Sequence, residues 1–440
     1  MAKKDFLDLI PNRAGADMGS EFVFIHIAGL KVENFPTHTR GLKNCIAYML
    51  KHDIKSVAVE ATGVYWLNFF DLCHEYNVDA WLINPKYTKT RAGKKTDVKD
   101  AIWIQRLHSA DFLEKSYMPN KDIRTLREYV RTRENYVSER SRKVNQMNKA
   151  LIQMNIRLDN VISQIHGVSG MKMIKAILAG ERSADKLITL CDKRIRKNKA
   201  KELKNALEGN FQPQYIFTLK MALEDYSYLD QKIKDCDIHI EEQLLKMKKG
   251  MEEPEKLNRP KAIRHNKPQI ENLQLIIQTL TGGIDLTLIP GLTNYSVLRI
   301  ISELGNTVDA WPTKKHFTSF LNLSPRQNQS GRSNKRSKGN KSSHKAGQVF
   351  REIAQSVMNS KYQSLGLFGR RLKSKKGPQI ATKALARKIA EMYYICLKKQ
   401  IEYKEPGIEA YTQKRKIKTI AQLRRQAAKL GYRIEEKNAA

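Results

Sequence analysis

The chain has 440 residues, with 80 Lys+Arg against 45 Asp+Glu, a formal net charge of +35 and a pI near 9.9. Its length supports two or three domains, and self-repulsion on this scale calls for a polyanionic partner, nucleic acid first among them. No apolar run reaches the roughly 18 residues of a membrane-spanning helix and the N-terminus has no signal-peptide core, so a cytoplasmic, nucleoid-associated protein without a membrane partner is expected, while five scattered cysteines, never in a C-x-x-C pair, argue against a disulfide scaffold or a zinc finger.

Phe22, Phe24 and Ile25 sit in a β-prone run, and a second such run near Leu30 to Phe35 completes a hairpin. Between Thr37 and His52, Leu42, Cys45, Ile46 and Leu50 recur at helical spacing, ahead of a strand from Ser56 to Val59. A helix from about Tyr65 to Tyr76 and a strand from Ala80 to Asn84 continue the alternation, which reads as an α/β domain with a mixed sheet.

Acidic residues fall at informative points of this pattern. Asp17 lies near the end of the first strand, Glu60 ends a buried one, and Asp97 and Asp100, three apart, share a face at the start of a helix. Functional sites gather at strand ends in open α/β sheets. Four carboxylates brought together there repel unless a hard divalent cation, Mg²⁺ (or Mn²⁺), lies between them, and that arrangement suits metal-assisted phosphodiester chemistry. The bland alternative is that Asp97 and Asp100 favour a helix dipole and Glu60 caps a turn. Lys86, Lys89, Arg91, Lys94 and Lys95 form a basic flank beside these acids, either a nucleic-acid contact or a solvated charged loop.

The blocks GADMGSEF, VAVEATGVYW, INPKYTKTRAGKKTDVKDAIWIQRL and ALIQMNIRL resemble the transposases of the IS-one-ten insertion-sequence family, particularly its IS-eleven-eleven branch. The resemblance implies a DEDD carboxylate set on an RNase H-like (RuvC-like) domain. Matched motif by motif, that set falls on Asp17, Glu60, Asp97 and Asp100, with one departure: Ala16 stands where an apolar Ile usually precedes the first Asp.

Farther on, Leu126, Val130, Val137, Val144, Met147, Leu151, Met154 and Leu158 follow a heptad-like register that Arg133 and Arg140 interrupt. A second run from Ile216 to Met247 has similar spacing. The two read as a long coiled coil, paired within one chain or across a dimer. The helix over Asp192 to Lys204 is basic, and residues 251–270, rich in Pro and charge, read as a linker. Leu286 to Gly305, with Pro290-Gly291 before an apolar helix, has the pattern of a helix-hairpin-helix offering backbone N–H groups to phosphate, or of an ordinary helix start.

From Asn322 to Lys345 the chain reads NLSPRQNQSGRSNKRSKGNKSSHK, without an acidic residue. So polar a stretch is either a disordered linker or a segment that folds against a polyanion. The family's C-terminal domain carries a serine in a Ser-Gly pair within a basic loop. The resemblance therefore assigns Ser330 as nucleophile, with Ser333 and Ser324 as fallbacks. Attack on a DNA phosphate would conserve bond energy in a phosphoserine ester. Arg332, Lys335 and Arg336 would stabilise the phosphorane, with Lys338 and Lys341 completing the phosphate-facing surface. Aromatics Tyr362 and Phe368 read as packing residues.

The expected organisation is a carboxylate domain over 1–118, a coiled-coil helical domain over 119–250, a linker over 251–270, a mainly helical C-terminal transposase domain over 271–375 and a basic helical tail over 376–440. The resemblance further implies partners: element-end and target DNA, a structured bridge RNA that guides the enzyme, and dimers that assemble into tetramers. A carboxylate-only junction resolvase and a non-enzymatic RNA- or DNA-binding protein are the rival readings.

Overall fold

A computed structural model describes residues 10–61, 63–88, 96–263, 265–325, 327–330, 333–336 and 344–435; within these, side chains are not described at 86, 87, 327–330 and 333–336. The chain forms two compact units, Met1–Met118 and Pro119–Ala440.

The first unit contains β1 (Arg13–Met18), β2 (Phe22–Ile27), β3 (Glu33–Pro36), α1 (Thr39–Lys51), β4 (Ser56–Glu60), α2 (Trp66–Glu75), β5 (Asp79–Ile83), α3 (Pro85–Thr88) and α4 (Asp97–Ser109). The five strands form one mixed sheet in the order β3-β2-β1-β4-β5. β1, β2 and β3 pair antiparallel, whereas β1–β4 and β4–β5 are parallel. β3 begins later than the pattern suggested because Gly29, at φ +78°, turns the chain there.

Side-chain alternation sorts this sheet into two faces. Ala14, Ala16, Val57 and Val59 join Leu42, Ile46, Phe69 and Phe70 in the larger core, under α1 and α2. The opposite face carries Gly15 and Ala58, directly paired in register, and Ala58 packs with Ile83 and Ile104 of α4. A mixed α/β domain is thus what the strand–helix alternation encodes.

Among the described residues the second unit is helical apart from one hairpin. Its elements are α5 (Lys121–Gln153), α6 (Val168–Leu178), α7 (Ala184–Thr189), α8 (Lys193–Leu207), α9 (Pro213–Lys248), α10 (Leu273–Leu280), α11 (Asn294–Leu304), α12 (Lys314–Phe320), β6 (Gln327–Ser330), β7 (Ser333–Arg336), α13 (Lys345–Met358), α14 (Ser364–Lys376), α15 (Pro378–Lys399) and α16 (Gly407–Lys429). The long helices α5 and α9 lie antiparallel within one chain: Asp122 meets Lys246, Arg133 meets Asp237, Arg140 meets Asp230 and Lys143 meets Asp225. Arg133 does not interrupt the seam; it is a buried member of it, 1% exposed, against Asp237 at 1%.

The described residues of 251–270 lack regular structure, yet the segment is tied down. Asn266 accepts from Arg133 Nη2 through its carbonyl at 3.1 Å and from Arg140 through its side chain at 3.0 Å. Lys261 donates to the carbonyl of Thr287, and Asn258 to Asp285 at 3.0 Å. The segment read as a tail holds two different things. Helix α15 is a core element with Ala381, Leu385, Ile389 and Tyr393 buried, whereas α16 buries no residue. Tyr362, expected to pack, is 87% exposed. All five cysteines are free and buried. Among the described residues no helix is long and apolar enough to cross a membrane.

Candidate active site

The orientation of α4 on the sheet decides where its acidic first turn lies. At the C-terminal end of the helix, His108 Nε2 is 2.9 Å from Ser56 Oγ, and Arg13 donates to the His108 carbonyl at 2.7 Å. Arg13 and Ser56 begin β1 and β4. In the middle, a Cβ on Gly15 would stand 2.2 Å from Gln105 N and 2.6 Å from the Ala101 carbonyl oxygen, so the helix backbone rests on the bare glycine. Ala101, Ile104, Gln105 and His108 form the buried stripe. Asp97 and Asp100 continue that stripe one turn toward the N-terminus. Helix α4 therefore runs antiparallel to β1 and β4, and its first turn lies over their C-terminal ends.

Those ends carry the other two carboxylates. The parallel register runs from Arg13↔Ser56 to Ala16↔Val59, and one step further sets Asp17 against Glu60. By alternation both share the Gly15–Ala58 face, the face α4 covers. All four predicted acids thus occupy one end of one face of the sheet. Thr96 caps α4, its side chain accepting from Lys99 N at 3.3 Å, and Asp97 and Asp100 lie where the helix dipole favours negative charge.

One member of this neighbourhood was not singled out from the sequence. Thr88 Oγ1 donates to Glu60 Oε2 at 2.7 Å, and the Thr88 carbonyl accepts from Trp103 Nε1 of α4 at 3.1 Å. Thr88 therefore orients Glu60 and ties its strand to the acidic helix. The signal available in advance was a small hydroxyl residue at the end of a strand-following turn, indistinguishable there from any surface threonine. Burial lowers the His108 imidazole to about 4, the Arg13 cation pushing the same way, so the far end of α4 is anchored by a neutral ring.

Among the described residues no group of three or more His, Cys, Asp or Glu side chains is placed to hold a metal ion. The four acids share a location without converging on one point. The donor set nonetheless fits a hard divalent cation: it is all carboxylate oxygen, drawn from three segments that meet at one sheet end.

The second predicted centre is a hairpin. β6 and β7 pair antiparallel with Ser330 opposite Ser333, Asn328 opposite Lys335 and Gln327 opposite Arg336. Neither disorder nor a plain loop describes these eight residues. The flanking helices close the base of the segment: a Cβ on Gly347 of α13 would lie 2.2 Å from the Leu321 carbonyl oxygen after α12, and the His344 and Phe320 rings are 4.6 Å apart. Burial lowers His344 to about 4. Ser324 Oγ is 3.3 Å from Thr318 Oγ1, at this base rather than on the hairpin. Lys89, Arg91, Lys94, Lys95, Arg332, Lys338 and Lys341 lie outside the described residues, as do the side chains of Lys86, Ser330, Lys335 and Arg336.

The turn expected to grip phosphate precedes α11. Thr293 and Ser296 form a capping box there, Thr293 N donating to Ser296 Oγ at 2.8 Å and Ser296 N to Thr293 Oγ1 at 3.3 Å. Two donors that a phosphate would use are already satisfied. A Cβ on Gly291 would lie 2.4 Å from the Val357 side chain, so this turn packs on α13.

Family models add identity to this geometry. Residues 15–156, which hold all four acids, match a DEDD transposase model; the fold and site define a DNA transposase of the carboxylate type, with the divalent-metal dependence that class implies. Residues 285–367, which hold α11, the hairpin and Ser330, match the model described as transposase of the IS116/IS110/IS902 family. The two spans cover just over half of the chain, which belongs to the IS110 transposase family. No curated protein matches the chain.

Proposed function

We propose that the protein excises and inserts a mobile DNA element by serine attack on phosphate, with Ser330 as nucleophile and Asp17, Glu60, Asp97 and Asp100 holding Mg²⁺ or Mn²⁺. The observation that carries this reading is the antiparallel seating of α4, which sets the Asp97/Asp100 turn over the paired ends of β1 and β4. Ser330 Oγ forms a bond to phosphorus as the bridging ester oxygen of the cut strand leaves. A strand hydroxyl later attacks the phosphoserine and releases the serine, so rejoining needs no ATP. The metal ions, when bound, supply Lewis-acid activation of the scissile phosphate. Asp97 and Asp100 would hold the metal from a helix start, while Thr88 fixes the Glu60 carboxylate.

Arg332, Lys335, Arg336, Lys338 and Lys341 neutralise charge around the serine, and Lys86, Lys89, Arg91, Lys94 and Lys95 follow the DNA backbone beside the acids. In this reading a structured bridge RNA pairs with target and donor DNA. Dimers joined through the α5–α9 coiled coil assemble into tetramers in the nucleoid.

The test is cleavage of element-end DNA with a denaturant-resistant protein–DNA adduct as readout. Wild type forms the adduct, Ser330→Ala forms none, and Asp100→Asn cuts at least 100-fold more slowly. Cutting that survives Ser330→Ala but not Asp100→Asn would instead establish a carboxylate-only nuclease.

A further inference from the structure

Helices α14, α15 and α16 enclose a groove of about 820 Å³ on the second unit, apart from the hairpin residues described above. A cavity of this size takes a nucleotide-sized guest. Six cations line it: Arg371, Lys388, Lys404, Lys414, Arg415 and Lys418. They come from three helices and the α15–α16 connection, so the tertiary fold, not a run of sequence, brings them together.

The charge balance inside the groove is unfavourable as it stands. Lys388 lies half-buried on α15 with its ammonium 4.7 Å from the centre of the Phe368 ring and 5.9 Å from that of Tyr411. Burial holds its pKa below the ordinary lysine value, and Lys418, Lys414 and Arg371 push the same way against Glu391. Glu391 is itself engaged by Arg387 at 3.1 Å. Like charges held together around a desolvated ammonium are relieved by an anion with several oxygens. The Phe368 and Tyr411 rings add flat apolar surface beside those cations, a combination suited to alternating phosphate and base.

We propose that this groove binds a single strand of nucleic acid, its phosphates on Lys414, Lys418 and Arg371 and a base against the Phe368–Tyr411 wall. The cavity accepts a strand rather than a duplex because it is bounded on three sides by helices and has nucleotide dimensions. This rests on the nucleic-acid partnership of the proposed function and is independent of its chemistry.

The experiment is therefore done in the full-length Ser330→Ala protein, where loss of cutting cannot disturb the result. Binding of 12-mer poly-U RNA, poly-dT DNA and a DNA duplex of equal length is measured by fluorescence anisotropy across salt concentrations. Lys414→Gln/Lys418→Gln, on a helix with no buried residue, should weaken single-strand binding and lower the log K against log salt slope by about 1.4. The tighter of the two single strands identifies the natural source. Amine acylation should show Lys388, Lys414 and Lys418 protected by the strand, with Lys51 of the other unit as reference. An unchanged slope, equal labelling with and without strand, or weakening confined to the duplex would overturn the proposal.

Discussion

Replacing Asp237 by alanine leaves a guanidinium in the protein interior without its counter-charge. Arg133 is 1% exposed and donates to Asp237 through Nε at 2.5 Å and Nη2 at 3.4 Å. It also reaches Tyr295 OH at 3.0 Å and the Asn266 carbonyl at 3.1 Å, while Asp237 accepts from Gln269 N at 3.0 Å. Removing one partner of such a pair costs about 3–5 kcal/mol, because the remaining charge keeps its desolvation penalty. With an unfolding entropy of about 2.1 cal/mol/K per residue, a unit the length of Pro119–Ala440 loses roughly 1.5 °C per kcal/mol, giving a fall of about 4–7 °C. Differential scanning calorimetry of the full chain at fixed salt measures this. The double variant Arg133→Met/Asp237→Leu should recover part of the loss, since an apolar pair has no charge to desolvate, although the Asn266 carbonyl and Gln269 N lose a partner. A drop below about 1 °C for Asp237→Ala, or a double variant less stable than the single one, would refute the reasoning.

Two further outcomes follow from the first unit. Gly15→Ala drives a methyl into the α4 backbone, with overpacking of about 1–3 kcal/mol, and should reduce DNA cleavage by about 100-fold through displacement of Asp97 and Asp100; Gly19→Ala, whose Cβ would meet nothing nearer than 3.5 Å, should cut at the wild-type rate. His108 stays neutral down to about pH 4 when folded but takes a proton near 6.5 when unfolded, so its contribution is complete above pH 6.5 and is lost as the pH falls toward 4, by up to about 3 kcal/mol. His108→Phe should flatten the melting-temperature slope over that window; an unchanged slope would place the acid sensitivity elsewhere.

Much of the carboxylate unit was legible in the residues, because its strands alternate apolar faces and its helices repeat at 3.6. Asp97 and Asp100 could be assigned to one helical face from spacing alone. Their placement over Asp17 and Glu60 could not, since it depends on the α4 backbone resting on the bare Gly15. Arg133 was misread as a break in a heptad because periodicity scores a cation as polar, and only the partner Asp237, 104 residues away, makes it a core residue. The Ser330 hairpin escaped notice for a different reason: neither QNQS nor SNKR alternates apolar with polar side chains, so the pairing leaves no hydrophobic trace. Helix α15 was submerged in the basic composition around it, although its Ala, Leu, Ile and Tyr positions carry the buried stripe.

The anchoring of α4 gives the acidic turn a mechanical character. The helix is clamped at its distal end, where His108 meets Ser56 and Arg13, is braced midway on Gly15 and is tied through Trp103 to Thr88, and its carboxylates sit about 16 Å from the clamp at 1.5 Å per residue. A pivot of only about 5° at the clamp would sweep the acids through roughly 1.4 Å, a displacement large enough to separate a productive geometry from an idle one. Trp81, whose ring centre lies 4.8 Å from that of His108, packs edge-on against that clamp. The fold acts as a lever whose handle is buried and whose far end carries Asp97 and Asp100.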